Sequence, residues 1–164
     1  RLNHTAATAS LLGVALPIAL VIGIGLTGHL MRIRGPYFTY ASGLACGTLG
    51  FFLNGIAGPV QTADLLPHLP STLFWTGIVI TGLGGGILAT SGSTFISMRV
   101  APESQGTFFA LEHFVHAVAA ALGIGFINHY IFDVKAKGWA AGRPFFFSSA
   151  CMGIGLVWFV LVCL

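Results

Sequence analysis

The sequence predicts an all-α integral membrane protein with five transmembrane helices, because its composition and the length of its apolar runs both suit lipid. Hydrophobic residues fill 55% of its 164 positions and charged residues only 7%, whereas an ordinary soluble domain carries about 25% charged residues. The mean hydropathy is +0.91. The apolar residues form runs of about 20 or more, the length that crosses a hydrocarbon layer about 30 Å thick. The predicted helices form one domain and cover residues 6–30, 37–56, 73–97, 106–132 and 144–164.

Polar, charged or proline-rich segments separate the predicted helices. The first two helices are divided by residues 31–36, which contain two arginines and end in a Gly-Pro pair. A proline-rich stretch, 58–72, follows the second helix, and the segments 98–105 and 133–143 precede the fourth and fifth. Proline lacks a backbone N–H and charge is disfavoured in lipid, so we expect these four segments to lie outside the hydrocarbon.

The distribution of charge excludes a nucleic-acid-binding function. Seven Lys and Arg against four Asp and Glu give a net charge of +3, but the cations are spread over the connecting segments and form no basic face. An excess of Lys and Arg normally marks cytoplasmic loops. Here it does not decide the orientation, because the two sides carry similar sets: Arg32, Arg34 and Arg99 on one, and Lys135, Lys137 and Arg143 on the other.

Many of the 23 glycines lie inside the predicted helices. Gly43 and Gly47 are four residues apart, as are Gly82 and Gly86, and small residues at this spacing let helix backbones approach closely in lipid. We expect these four residues and Gly123 to pack against neighbouring helices. Glycine is also frequent in membrane helices without such a role, and that alternative stays open.

The fourth predicted helix carries ionisable residues at a depth where lipid is expected. Glu112 and His116 are four residues apart and share a helix face with small residues, whereas His113 points about 100° away. A charge at mid-bilayer depth costs roughly 2.5 to 3.5 kcal/mol, so such residues usually face a bundle interior or a water-filled path. We expect Glu112, His113 and His116 to lie on a substrate or proton pathway. Purely structural pairing with other helices and a position near the membrane interface remain as alternatives.

These residues do not form a known metal motif. Residues 112–116 run Glu-His-Phe-Val-His, which is not the H-E-x-x-H order that binds zinc in metalloproteases. The other histidines are scattered along the chain, at His4, His29, His68 and His129. We therefore expect no metal, no cofactor and no enzyme activity, and a membrane metalloenzyme is the least favoured class.

Four segments carry a pattern of glycines, prolines and alanines. They are GHLMRIRGP at 28–36, GLGGG at 82–86, APESQG at 101–106 and AAALGIG at 119–125. Together they resemble the major facilitator superfamily, and more narrowly the C-terminal part of its fourteen-helix drug:proton antiporter group. On this resemblance Glu112 stands in a region where the family has Asn and His116 stands at the usual Arg, which indicates a changed site.

The segment 28–36 is similar to the family's cytoplasmic loop, G-x-L-x-D-R-x-G-P. The resemblance implies that a cytoplasmic gating loop contains Gly28, Arg32, Arg34, Gly35 and Pro36. Because Arg32 stands at the family's Asp position and Ile33 at its Arg position, we do not expect the charge latch that this loop makes in the family.

The resemblance implies that the chain is part of a major-facilitator-type helical bundle and supplies its last five helices. The sequence begins at Arg1 without a signal-peptide pattern, and we expect a C-terminal segment of a longer transporter. The expected function is proton-coupled transport or efflux of a small molecule by alternating access in the cell (inner) membrane. The expected partners are the substrate, the proton, the lipid bilayer and the missing N-terminal half of the transporter. The alternative is a small self-standing oligomeric membrane scaffold or assembly protein.

Overall fold

The computed structural model describes residues 6–63, 68–126, 131 and 137–163, and within these residues the chain is helical and contains no strand. Its elements are α1 (Ala6–Ala63), α2 (Leu69–Arg99), a short 3-10 helix (Pro102–Ser104), α3 (Gln105–Phe126) and α4 (Trp139–Cys163). Helices α1 to α4 are each long and apolar enough to cross a membrane. The prediction of an all-α chain with long apolar helices suited to a membrane is confirmed.

Helix α1 is interrupted at Gly35. As one straight helix its 58 residues would extend about 87 Å, far beyond a hydrocarbon layer of about 30 Å. Gly35 has φ 80° and ψ 168°, a conformation that glycine adopts without a steric penalty. Pro36 follows, where the first position of a new helix tolerates the missing N–H. The bend divides α1 into arm 1 (residues 6–34) and arm 2 (residues 36–63).

The predicted helix boundaries need correction. The segment 31–36 was expected to be a loop, but only its glycine leaves the helical conformation. Arm 2 continues to Ala63, α2 begins at Leu69 and α4 begins at Trp139, each several residues beyond the predicted limit. Hydropathy marks the residues that tolerate lipid, whereas a helix keeps its own backbone hydrogen bonds beyond the apolar run. The predicted end of the fourth helix at 132 lies outside the described residues.

Arm 1 packs against the glycine-rich centre of α2. A Cβ on Gly82 would lie 2.9 Å from the Leu16 carbonyl oxygen, and one on Gly86 would lie 2.8 Å from the Ile24 nitrogen. Both neighbours are backbone atoms, which cannot rotate away. The two backbones therefore approach as closely as glycine allows.

Arm 2 packs on another side of the same stretch. A Cβ on Gly84 would lie 2.8 Å from both the Gly43 carbonyl oxygen and the Gly47 nitrogen. Gly82 and Gly86 thus contact arm 1, and Gly84 contacts arm 2. Helix α2 therefore lies between the two arms. This three-way contact forms the centre of the described bundle.

Helix α4 packs on arm 2, and α3 stands apart from the rest. The Ser149 hydroxyl of α4 donates a hydrogen bond of 2.9 Å to the Thr48 carbonyl oxygen of arm 2. By contrast, none of the α3 side chains that the structure describes is buried. One ring contact, Phe126 to Phe147 with centroids 5.7 Å apart, joins the far end of α3 to α4. The loose packing of α3 leaves open space on its flanks.

Candidate functional site

Glu112 is the eighth residue of α3, about 10 Å from the start of that helix. Its side chain is 25% exposed and lies near Gly92 of α2. A Cβ on Gly92 would lie 3.6 Å from Glu112 Oε1 and 3.9 Å from the Tyr40 ring of arm 2. Gly92 therefore separates a carboxylate and an aromatic ring that come from different helices.

His116 lies one helical turn beyond Glu112. Its Nδ1 is 4.0 Å from Glu112 Oε1, longer than a hydrogen bond but short enough for an ion pair when the histidine is protonated. The His116 side chain is 78% exposed. The pair thus joins a partly buried carboxylate to a histidine that is open to its surroundings.

The second carboxylate oxygen of Glu112 is buried, and it has no hydrogen-bond partner among the described residues. Removing a carboxylate oxygen from water without a compensating contact is costly. The cost falls if the oxygen binds a proton, a cation or a hydrogen-bond donor. Among the described residues, Glu112 Oε2 is therefore an acceptor whose hydrogen bond is not made by the protein.

Glu112 borders two cavities of different character. One, of about 520 Å³, lies between α3 and the other three helices, and its polar lining is Tyr40, Ser93, Glu112, His113 and His116. The other, of about 430 Å³, is an apolar crevice between α2 and α3, lined beside Glu112 and His116 by Ile96, Phe108, Leu111, Val115 and Ala119. The carboxylate lies where the polar space and the apolar space meet.

His113 lines the polar cavity together with Glu112 and His116, although the helical repeat turns it about 100° from them. The helical periodicity of the sequence placed His113 on a different face from Glu112 and His116, because it describes α3 alone and not the space around it. The space beside α3 is wide enough to be lined by more than one of its faces. Among the described residues, no group of three or more His, Cys, Asp or Glu is arranged to hold a metal ion.

The residues of the expected gating loop all lie in α1 and surround its bend. Gly35 makes the turn and Pro36 follows it, while Arg32 is exposed. The Arg34 guanidinium lies over the Phe38 ring at 5.7 Å. A Cβ on the fifth residue, Gly28, would meet no described atom within 4 Å.

The glycines expected to pack lie in different surroundings. The four in arm 2 and α2 are buried, and each has close neighbours on another helix: Gly43, Gly47, Gly82 and Gly86. Gly47, for example, faces the Met152 side chain of α4. Gly123 is half-buried, and a Cβ there would meet no described atom within 4 Å.

Sequence reasoning missed an aromatic group beside the site. Tyr37 and Tyr40 of arm 2, Phe95 of α2 and Phe159 of α4 are in mutual ring contact. Arg99 donates a hydrogen bond to the Tyr37 hydroxyl. No spacing in the sequence links these positions, since they come from three helices.

Comparison of the chain with protein-family models, with curated proteins and with solved structures gives no match. The surroundings of Glu112 and the sequence pattern are the features of the chain that bear on its function.

Proposed function

We propose that the chain is part of a major-facilitator-type secondary transporter in which Glu112 carries the coupling proton. The observation that supports this most is the buried, unpartnered Oε2 of Glu112 at the junction of two cavities. A carboxylate in that position binds a proton when the site faces one side and releases it when water or a cation reaches the site from the other. The small-molecule substrate occupies the cavity during the same cycle.

His116 modulates Glu112 in this proposal. A protonated His116 at 4.0 Å stabilises the carboxylate, and a neutral one does not. His116 is largely exposed, so the contents of the cavity reach it more easily than they reach Glu112. His113, on the same cavity, extends the polar path.

The proposed topology has five crossings, with each arm of α1 crossing separately. The contact between Arg99 and Tyr37 holds the α1 bend and the end of α2 at the same end of the bundle. We assign this end, which also carries Arg32 and Arg34, to the cytoplasm, and the protein to the cell inner membrane as a multi-pass protein. Charge alone does not choose this orientation, and the similarity of 28–36 to a cytoplasmic loop favours it.

The other half of the transporter covers α3. Large apolar side chains of α3 are exposed in the structure, among them Phe114 at 64% and Leu122 at 70%. Alternating access requires two half-bundles that close around a shared site. In this proposal, the described helices supply one wall of the site and an N-terminal half supplies the other.

A second candidate, a self-standing oligomeric scaffold, is favoured by the same exposed face of α3. In that case, copies of the chain would pack through α3, and Glu112 with His116 would serve a structural role. Residues 1–164 expressed alone and inserted in vesicles distinguish the two. The transporter proposal expects insertion without transport of any solute, and saturable gradient-driven transport by the isolated chain would contradict it.

The test of the proposal compares two carboxylates in the full-length protein. Glu112→Gln keeps size and polarity but cannot titrate, so proton-coupled transport should be lost at unchanged abundance. Glu103→Gln is the matched control, because Glu103 lies exposed in the turn before α3, and it should transport normally. His116→Gln should shift the pH optimum of transport.

The pH profiles of the two single variants and the double variant, at matched expression, complete the test. Residues that act as a unit give non-additive effects. Strictly additive effects would reject the paired site. An unchanged pH profile in Glu112→Gln would reject the proposed function.

A further inference from the structure

Four aromatic rings form a cluster that joins three helices. This four-ring cluster consists of Tyr37, Tyr40, Phe95 and Phe159. The closest centroid distances are 4.8 Å for Tyr40 to Phe159, 5.0 Å for Tyr37 to Phe95 and 5.5 Å for Tyr40 to Phe95. Phe95 and Phe159 are also in contact, at 5.8 Å. The Tyr37 and Phe159 centroids are further apart, at 6.4 Å, and each ring thus has a ring of both other helices within this distance.

The side chain of Arg99 contacts the cluster at its edge. The guanidinium of Arg99 donates a hydrogen bond to the Tyr37 hydroxyl, and it also lies over the Tyr37 ring at 5.8 Å from the centroid. Arg99 is exposed at the end of α2. Because water can replace this hydrogen bond, the contact can open and close without unfolding a helix.

The cluster lies at one end of the polar cavity that contains Glu112. Tyr40 belongs to both the cluster and the cavity lining. Ser93 and Met152 line the cavity further from the α1 bend than Phe95 and Phe159, which follow them on α2 and α4. The rings thus stand between the cavity and the end of the bundle where the α1 bend lies.

The backbone contacts at the centre of α2 do not allow the same movement. At the centre of α2, glycine backbones of 82–86 touch the backbones of both arms, and such contacts have no side chain that can rotate aside. Aromatic rings in edge contact can rotate about their side-chain bonds. Movement at the four-ring cluster is therefore easier than at the centre of α2.

We propose that the four-ring cluster is a gate that closes the Glu112 cavity at the bend end, and that the Arg99 to Tyr37 contact is its latch. This proposal rests on the proposed transport function, since a gate serves a site that must open to one side at a time. In this chain the latch is a cation on a tyrosine, which joins the start of arm 2 to the end of α2. Its release lets the rings separate and admits water to Glu112.

The test measures access to the cavity and does not depend on transport. In the full-length protein lacking Cys46, Cys151 and Cys163, Ser93→Cys places a thiol on the cavity wall inside the cluster. Its rate of reaction with a membrane-impermeant thiol reagent is measured with the reagent only on the side of the membrane that carries the α1 bend. We expect slow labelling with the latch intact, and labelling about five- to tenfold faster after Arg99→Gln.

Two further variants test whether faster labelling results from loss of the Arg99 to Tyr37 contact or from a general loosening of the protein. Tyr37→Phe keeps the ring and removes only the hydroxyl, so it should also accelerate labelling. Glu103→Gln removes an exposed charge from the turn that follows α2, at the same end of the bundle but outside the cluster, and it should leave the rate unchanged.

The outcomes are distinguishable. Equal rates in the latch variants and the parent, or a Glu103→Gln rate as high as that of Arg99→Gln, would overturn the gate. A loss of proton coupling in Glu112→Gln leaves this labelling result unaffected. The gate and the proton site can therefore fail separately.

Discussion

The glycine segment of α2 offers a matched pair of substitutions, Gly84→Ala and Gly85→Ala. The two residues are adjacent in one helix, but their surroundings differ. A Cβ on Gly84 would lie 2.8 Å from the Gly43 carbonyl oxygen and 3.0 Å from the Cys46 Cβ. A Cβ on Gly85 would meet no described atom within 4 Å. A change in the free energy of unfolding that both variants share is therefore caused by the helix propensity of alanine. A difference between the two variants is caused by packing against arm 2.

The expected magnitudes follow from two opposing terms. Replacing Gly by Ala inside a helix is favourable by roughly 0.5 to 1 kcal/mol. Overpacking a tight contact costs about 1 to 3 kcal/mol, and only Gly84 has such a contact. We expect Gly85→Ala to stabilise the protein by up to about 1 kcal/mol, and Gly84→Ala to destabilise it by about 1 to 2 kcal/mol.

The assay is the midpoint of thermal unfolding of the purified full-length protein in detergent. For a chain of 150 to 250 residues, each kcal/mol moves the midpoint by about 2 to 4 °C, and for a longer protein the shift is smaller. The two variants should therefore move in opposite directions. If Gly84→Ala proved as stable as Gly85→Ala, arm 2 would not lie against α2 as described.

The same segment shows how far sequence reasoning extends. The four-residue spacing of Gly82 and Gly86 indicates one packing face, because residues four apart lie on the same side of a helix. It does not indicate that Gly84, between them, faces a second partner. A glycine pattern describes where backbones can approach, whereas the number of neighbours depends on the path of the whole chain.

Hydropathy predicted the all-α class and the long apolar helices, because the cost of polar groups in lipid acts on every residue of a span. It did not predict that arm 1 continues to the bend at Gly35. The position of that turn depends on one backbone conformation, and hydropathy carries no information about it.

The candidate site was only partly accessible to sequence reasoning. Glu112 and His116 could be selected because ionisable residues are rare in apolar helices and their spacing pairs them. Tyr40 and Gly92 approach Glu112 in the structure. The sequence could not select them as site residues, because Tyr40 lies on arm 2 and Gly92 on α2. Contacts between helices depend on packing, which the periodicity of a single helix does not encode.

Two further predictions concern topology and packing. With a single cysteine in place of Arg34, an impermeant thiol reagent should label only opened membranes if the α1 bend is cytoplasmic, and labelling of intact cells there but not at Lys137 would invert the topology. Ser149→Ala removes the bond to the Thr48 carbonyl oxygen between α4 and arm 2, and interhelical bonds of this kind are worth about 0.6 kcal/mol on average and up to about 1.7. Its unfolding midpoint should fall by about 1 to 7 °C in a chain of 150 to 250 residues, and by less in a longer protein. Ser148→Ala is the matched control, because the Ser148 hydroxyl bonds only within α4, and an equal fall in both variants would show that the Ser149 bond does not join the helices.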